Sequence, residues 1–149
     1  MSWAAFNSRG KLQIAFPTAR MNSEEYQEVL DTCLIPYLED HDEVPLLFQQ
    51  DNASIHSSAS TKKWLVDREI SVLAWLPCSP DLNVLENAWG ILARRVYANN
   101  RQYQTVAQLK LAVVEAWNEL DMNIINRLIE SVPNRLFQFI QRNGSATDY

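Results

Sequence analysis

A chain of 149 residues is one domain or most of one. Its 47% hydrophobic content, with five Trp, five Tyr, five Phe and only three Gly, is enough to build a core and excludes disorder over most of its length. The net charge of −5 argues against a stand-alone nucleic-acid-binding module, which carries a basic face, though it leaves open an enzyme that concentrates carboxylates at a metal site.

Residues 2–6 and 12–16 read as two short strands. Asn7-Ser-Arg-Gly10 between them supplies turn chemistry, and a β-hairpin is expected. Asn22 or Ser23 then caps a helix running to about Tyr37, because Tyr26, Val29, Leu30, Cys33, Leu34 and Tyr37 fall on one helical stripe. Pro36 and the acidic run Glu39-Asp-His-Asp-Glu43 are expected to end it. Residues 46–50 form a short strand stopped by Asp51-Asn52, and a helix follows from about Ser60 to Arg68 with Trp64 and Leu65 facing in. Residues 70–75 are another strand, apolar enough for burial on both faces.

Two prolines fix the loop Leu76-Pro-Cys-Ser-Pro80. A helix begins near Asn83, with Leu85, Trp89, Leu92 and Val96 as its buried stripe. Thr105-Val-Ala-Gln108 is a capping box that opens a helix through about Glu119. Shorter helices over roughly 122–131 and 134–141 are separated by Pro133, and the polar stretch 143–149 is expected to fray as a tail. Strands alternating with helices imply a parallel portion of sheet with an antiparallel hairpin at one side.

No apolar run reaches the roughly 18 residues of a membrane span. No basic segment opens the chain as in a secretory signal, so a soluble intracellular protein with no membrane partner is expected. Cys33 and Cys78 fit a reducing compartment, with a disulfide between them as the alternative. With only His41 and His56 beside them, they make no structural zinc site.

Two carboxylates stand out by placement. Asp51 ends the 46–50 strand, where an open α/β sheet puts its ligand crevice. Glu86 lies in a first helical turn at the edge of the buried stripe, with Gly90 and Ala93 on its side leaving room for a metal ion or a phosphate. Carboxylates converging from two elements suit Mg²⁺, which takes oxygen ligands and keeps several waters. Two such ions can clamp an in-line phosphoryl transfer. Placement alone leaves the plain alternatives standing: an Asp-Asn pair is ordinary turn chemistry, and a Glu in a first turn opposes the helix macrodipole.

The motifs change that balance. Phe48-Gln-Gln-Asp-Asn-Ala-Ser-Ile-His56 resembles the second-aspartate motif of mariner-superfamily DNA transposases. Ser79-Pro-Asp-Leu-Asn-Val-Leu-Glu-Asn-Ala-Trp89 is similar to their third-carboxylate motif, and the 34 residues between Asp51 and Glu86 match the branch whose third member is Glu. The likeness runs over essentially the whole chain, including Trp3-Ala-Ala-Phe6 and Ser131-Val-Pro-Asn-Arg135.

The resemblance implies an α/β, ribonuclease H-like (retroviral-integrase-like) fold. It implies Mg²⁺- or Mn²⁺-dependent phosphoryl transfer in cut-and-paste transposition and DNA integration, with double-stranded DNA (transposon ends and target) as partner and the nucleus as location. By motif, Asp51 and Glu86 are metal ligands. Asn52 and His56 are support, orienting Asp51 or contacting phosphate. Asp81 is expected to cap the following turn rather than bind metal.

The departures are also informative. Val84-Leu85 stand where the family has Pro-Ile, losing a rigid N-terminal proline. In the family the first aspartate lies on a central strand before the hairpin. The expectation is therefore a partial DDE-type catalytic domain over 1–142, truncated at its N-terminus and lacking that strand, with 143–149 as tail. Such a chain is expected to be inactive alone and marginal or aggregation-prone, because unpaired buried backbone groups cost roughly 1–3 kcal/mol each. The alternative function is a non-catalytic transposon remnant that pairs with nothing, or with intact transposase as partner or inhibitor; as protein partners, a homo-oligomer or intact transposase is expected. A ribonuclease H acting on RNA–DNA hybrids shares the fold, but the Ser-Pro-Asp-Leu-Asn signature disfavours it.

Overall fold

A computed structural model describes residues 1–75 and 82–142. The loop 76–80 with Cys78, the capping candidate Asp81 and the tail 143–149 lie outside the described residues. The chain divides into two compact units, one of Met1–Ala4 and Leu12–Cys78, the other of Ala5–Lys11 and Ser79–Tyr149. No helix of the described residues is long and apolar enough to cross a membrane.

The first unit is built on α1 (Ser23–Cys33), against which α2 (Ile35–Glu39), α3 (Ser54–Ser57) and α4 (Ala59–Asp67) pack. Asn22 is the N-cap, its side chain accepting from the Glu25 amide at 2.8 Å. Four of the six stripe residues lie in the core: Tyr26, Leu30, Cys33 and Leu34 are buried, with Leu12, Ile14 and Leu65 also buried in this unit, while Val29 and Tyr37 are half-buried. One expectation is corrected. The helix stops at Cys33, and Pro36 opens α2 instead of ending a longer helix. Proline lacks the N–H that an uninterrupted helix would need at that point, yet it fits a first turn. The helix α3 escaped prediction, because Ala53 offers no side-chain cap to mark its start.

The expected parallel pairing of 46–50 with 70–75 is present as a bridge between Phe48 and Val72. Phe48 N–H donates to Ser71 O and Leu73 N–H donates to Phe48 O, both at 2.8 Å. The second segment is not buried on both faces, however, since Val72 and Leu73 are 37% and 38% exposed. Buried Thr61 donates to Ile55 O at 2.7 Å, so its hydroxyl is satisfied inside the unit.

The hairpin forms as expected, but with a register change. Trp3 opposes Ala15, while Phe6 opposes Lys11. Ala4 and Ala5 thus face Leu12, Gln13 and Ile14, one residue more, as at a β-bulge. Asn7 closes the tip through its side-chain oxygen, which accepts from the Arg9 and Gly10 amides at 2.8 and 3.1 Å.

The second unit contains α5 (Val84–Val96), a 3-10 turn (Ala98–Asn100), α6 (Val106–Asn118), α7 (Met122–Glu130) and α8 (Val132–Gln141). The buried face of α5 centres on Ala88, Leu92 and Val96; Leu85 and Trp89 from the predicted stripe are only half-buried. Trp117 is the centre of the unit at 1% exposure, with its ring 6.1 Å from that of Trp89 and 6.4 Å from that of Phe6. Thr105 caps α6 by accepting from the Gln108 amide at 3.2 Å, and Gln108 returns to the amide of Gln104 rather than to that of the cap residue. Pro133 sits in the first turn of α8, so the break falls at Ser131 and not at the proline.

From the hairpin tip, Lys11 closes the far end of α6. Its Nζ donates to the carbonyls of Trp117 (2.6 Å), Asn118 (3.0 Å) and Leu120. A cation there satisfies orphan carbonyls and opposes the negative end of the macrodipole. Desolvation, then the nearby Arg95 charge, lowers the Lys11 pKa. Lys11→Met is expected to lower stability by about 1.5 kcal/mol, the contribution of a charged hydrogen-bonding group, as read from urea unfolding.

Candidate functional site

Asp51 follows the bridged segment, at the turn before α3. Its Oδ1 accepts from the Ala53 amide at 2.9 Å, which is the turn chemistry its placement suggested. The same oxygen accepts from His56 Nδ1 at 2.5 Å. Oδ2 makes no hydrogen bond to a described residue, and the Asp51 side chain is 57% exposed. The turn therefore occupies one carboxylate oxygen and presents the other to solvent.

His56 is the inner partner, its side chain 17% exposed. Because a carboxylate only accepts, the proton of this bond is on Nδ1. Its ring lies 4.2 Å from that of Tyr26. The Tyr26 hydroxyl donates to Gln50 Oε1 at 2.6 Å, and Gln50 Nε2 donates to His56 O at 3.3 Å. Burial pushes the Tyr26 hydroxyl well above the ordinary phenol range, the Asp51 charge adds to this, and a hydrogen bond with Trp3 opposes it. Tyr26 and Gln50 thus back the imidazole that holds Asp51. Sequence reasoning placed Tyr26 only in the apolar stripe and Gln50 only in the strand. The available signal was the position of Gln50 next to Asp51 in the motif.

Asn52 points elsewhere: its Nδ2 donates to Trp75 O at 3.0 Å, tying the ends of the two parallel segments together. Asp51, Asn52 and His56 are together in the first unit, and Glu86 belongs to the second. Glu86 is exposed in the first turn of α5, whose N-cap Asn83 accepts from the Leu85 amide at 3.2 Å. Its carboxylate has no hydrogen-bonding or ionic partner among the described residues. The space expected beside Gly90 is partly taken by Arg94, whose Nη1 lies 3.7 Å from where a Gly90 Cβ would be.

Each carboxylate is of the oxygen type that a hard divalent cation takes. Both groups are exposed carboxylates with an oxygen available, and Asp51 is fixed through its other oxygen, an arrangement that orients metal ligands. No group of three or more His, Cys, Asp or Glu suited to a metal ion occurs among the described residues.

Residues 2–110 match the family of DDE superfamily endonucleases. The chain is 43% identical to the Tc3 transposable element transposase of Caenorhabditis elegans over 149 residues, covering all of this chain and 45% of that one. It spans about half the length of the curated relatives it matches. Its structure is similar to that of the Mos1 mariner transposase catalytic domain, with a TM-score of 0.85 at 19% identity over 99% of this chain and 75% of that one. The Mos1 mariner paired end complex with Mn also matches, at a TM-score of 0.80 and 21% identity, over 97% of this chain and 44% of that one. At such identities the likeness establishes the fold, which is ribonuclease H-like as expected.

Proposed function

The chain belongs to the DDE superfamily endonucleases, and we propose that it acts as the catalytic domain of a cut-and-paste DNA transposase, with Asp51 and Glu86 as its ligands for Mg²⁺ or Mn²⁺. One observation carries this reading: the family match spans both motifs, and the structure braces Asp51 through Oδ1 while leaving Oδ2 to solvent. When bound, a divalent ion supplies charge to activate water and to stabilise the phosphodiester oxygens. The chain's own residues do the holding. His56 and the Ala53 amide fix the Asp51 carboxylate, and Asn83 caps the turn that carries Glu86.

The substrate on this reading is double-stranded DNA, transposon ends and target, and the site of action is the nucleus. A Mos1 relative is a paired end complex with Mn, which supports both the divalent ion and the DNA. The charge of −5 suits a catalytic domain that delegates most of its DNA affinity to another domain, and the protein partners on this reading are another copy or an intact transposase. The two motifs supply Asp51 and Glu86, two of the carboxylates that the resemblance assigns to metal.

The test is an assay on transposon-end DNA with the purified chain in Mg²⁺, beside a Mn²⁺ titration. Mn²⁺ binding that weakens at least tenfold in Asp51→Ala and in Glu86→Gln is expected. Nicking that is lost in Asp51→Ala would support the catalytic reading. Mn²⁺ binding indifferent to both carboxylates would overturn the metal assignment.

A further inference from the structure

Arg135 is 2% exposed, although burying a charge costs several kcal/mol unless it is held. Its Nε donates to Ser131 Oγ at 2.8 Å, and Ser131 Oγ donates to Leu128 O at 2.6 Å. The arginine is thereby anchored to the last turn of α7. Its Nη1 donates to Asn87 Oδ1 at 2.8 Å, reaching 48 positions back along the chain to the first turn of α5. Holding α8 against α7 needs only the Ser131 bond. The Asn87 bond reaches the turn that carries Glu86.

Neighbouring residues of a helix project roughly 100° apart. Drawing Asn87 inward therefore sets where Glu86 points, and the structure has Asn87 half-buried and Glu86 exposed. First turns fray, and among the described residues the side-chain cap of this one is Asn83. A planar guanidinium that cannot lose its proton is suited to fix such a turn.

We propose that Arg135 is the positioning residue for Glu86: through Asn87 it fixes the rotation of the first turn of α5, and with it the direction in which the Glu86 carboxylate meets a divalent cation. This rests on the assignment of Glu86 as a metal ligand made above. The role also gives a function to Ser131-Val-Pro-Asn-Arg135, a motif that the metal ligands leave unexplained.

The experiment is a Mn²⁺ titration of the full 149-residue chain, followed by paramagnetic broadening of the backbone amide signals of residues 84–88, well below each variant's melting temperature. Glu86→Gln, Asn87→Ala and Arg135→Met are each expected to need about tenfold more Mn²⁺ for equal broadening. The Asn87→Ala/Arg135→Met double variant is expected to be no worse than Arg135→Met alone, since the arginine variant already removes the Asn87 bond. Leu120→Ala, a destabilising change elsewhere in the core, is expected to titrate like the wild type.

If the Asn87 and Arg135 variants titrate like the wild type while Glu86→Gln does not, the positioning role is overturned and the metal assignment stands. Additive losses in the double variant, or an equal loss in Leu120→Ala, also overturn it. If Glu86→Gln itself changes nothing, the metal assignment falls and takes this inference with it. Should Arg135→Met fail to fold, Asn87→Ala decides alone, because it leaves the Ser131 bond in place.

Discussion

Replacing Trp117 by alanine is expected to destabilise this protein by about 3–5 kcal/mol, a large share of the roughly 5–15 kcal/mol that holds a domain folded. The ring is 1% exposed and lies among Phe6, Trp89 and the Lys11 ammonium, 5.8 Å from its centroid. Truncation leaves a cavity that helices α5 and α6 fill only partly, because their own packed faces limit collapse. Trp64 supplies the contrast. It is half-buried, and its main described partner is Arg68, whose guanidinium lies 4.0 Å above the ring. Trp64→Ala is expected to lose about 1 kcal/mol. Guanidinium unfolding of the two variants checks the pair, and equal losses would refute the assignment of Trp117 as the core of its unit.

Tyr26 makes the protein sensitive to alkali. Burial, reinforced by the Asp51 charge, raises the phenol pKa in the folded state above its value of about 10 in the unfolded chain. The stabilisation linked to a raised pKa is complete below the unfolded value and is lost as pH climbs through the folded one. Above about pH 10 the stability should therefore fall by about 1.4 kcal/mol per pH unit from this group alone. Tyr26→Phe has no such proton. It is expected to start about 1 kcal/mol less stable, through loss of the Gln50 bond, and to show a shallower alkaline slope. Parallel slopes in urea melts of the two proteins would rule out this role for Tyr26.

Local periodicity made much of the helical layout legible. The stripe Tyr26, Leu30, Cys33, Leu34 and the Thr105 cap depend on spacing within one helix, which the chain displays directly. Prolines were harder to place: Pro36 and Pro133 look like terminators but open new helices, because a residue without an N–H is equally at home in a first turn. The exposure of Val72 and Leu73 could not be seen, since burial of a strand depends on neighbours distant in sequence. At the candidate site, the motif marked Asp51, Asn52 and His56. It could not reveal that Asn52 turns to Trp75, or that Tyr26 and Gln50 stand behind the histidine. Those contacts are tertiary, as is the grip of Arg135 on Asn87.

The division of the hairpin gives the molecule an unusual response to cutting. Residues 5–11 belong with 79–149 although they are spliced into the other half of the chain, and Lys11 fastens them to the end of α6. A protease nick between residues 78 and 79 would therefore release no free fragment at once, because the amino-terminal piece would keep seven of its residues embedded in the carboxy-terminal one. The two pieces should co-migrate under native conditions and separate only in denaturant.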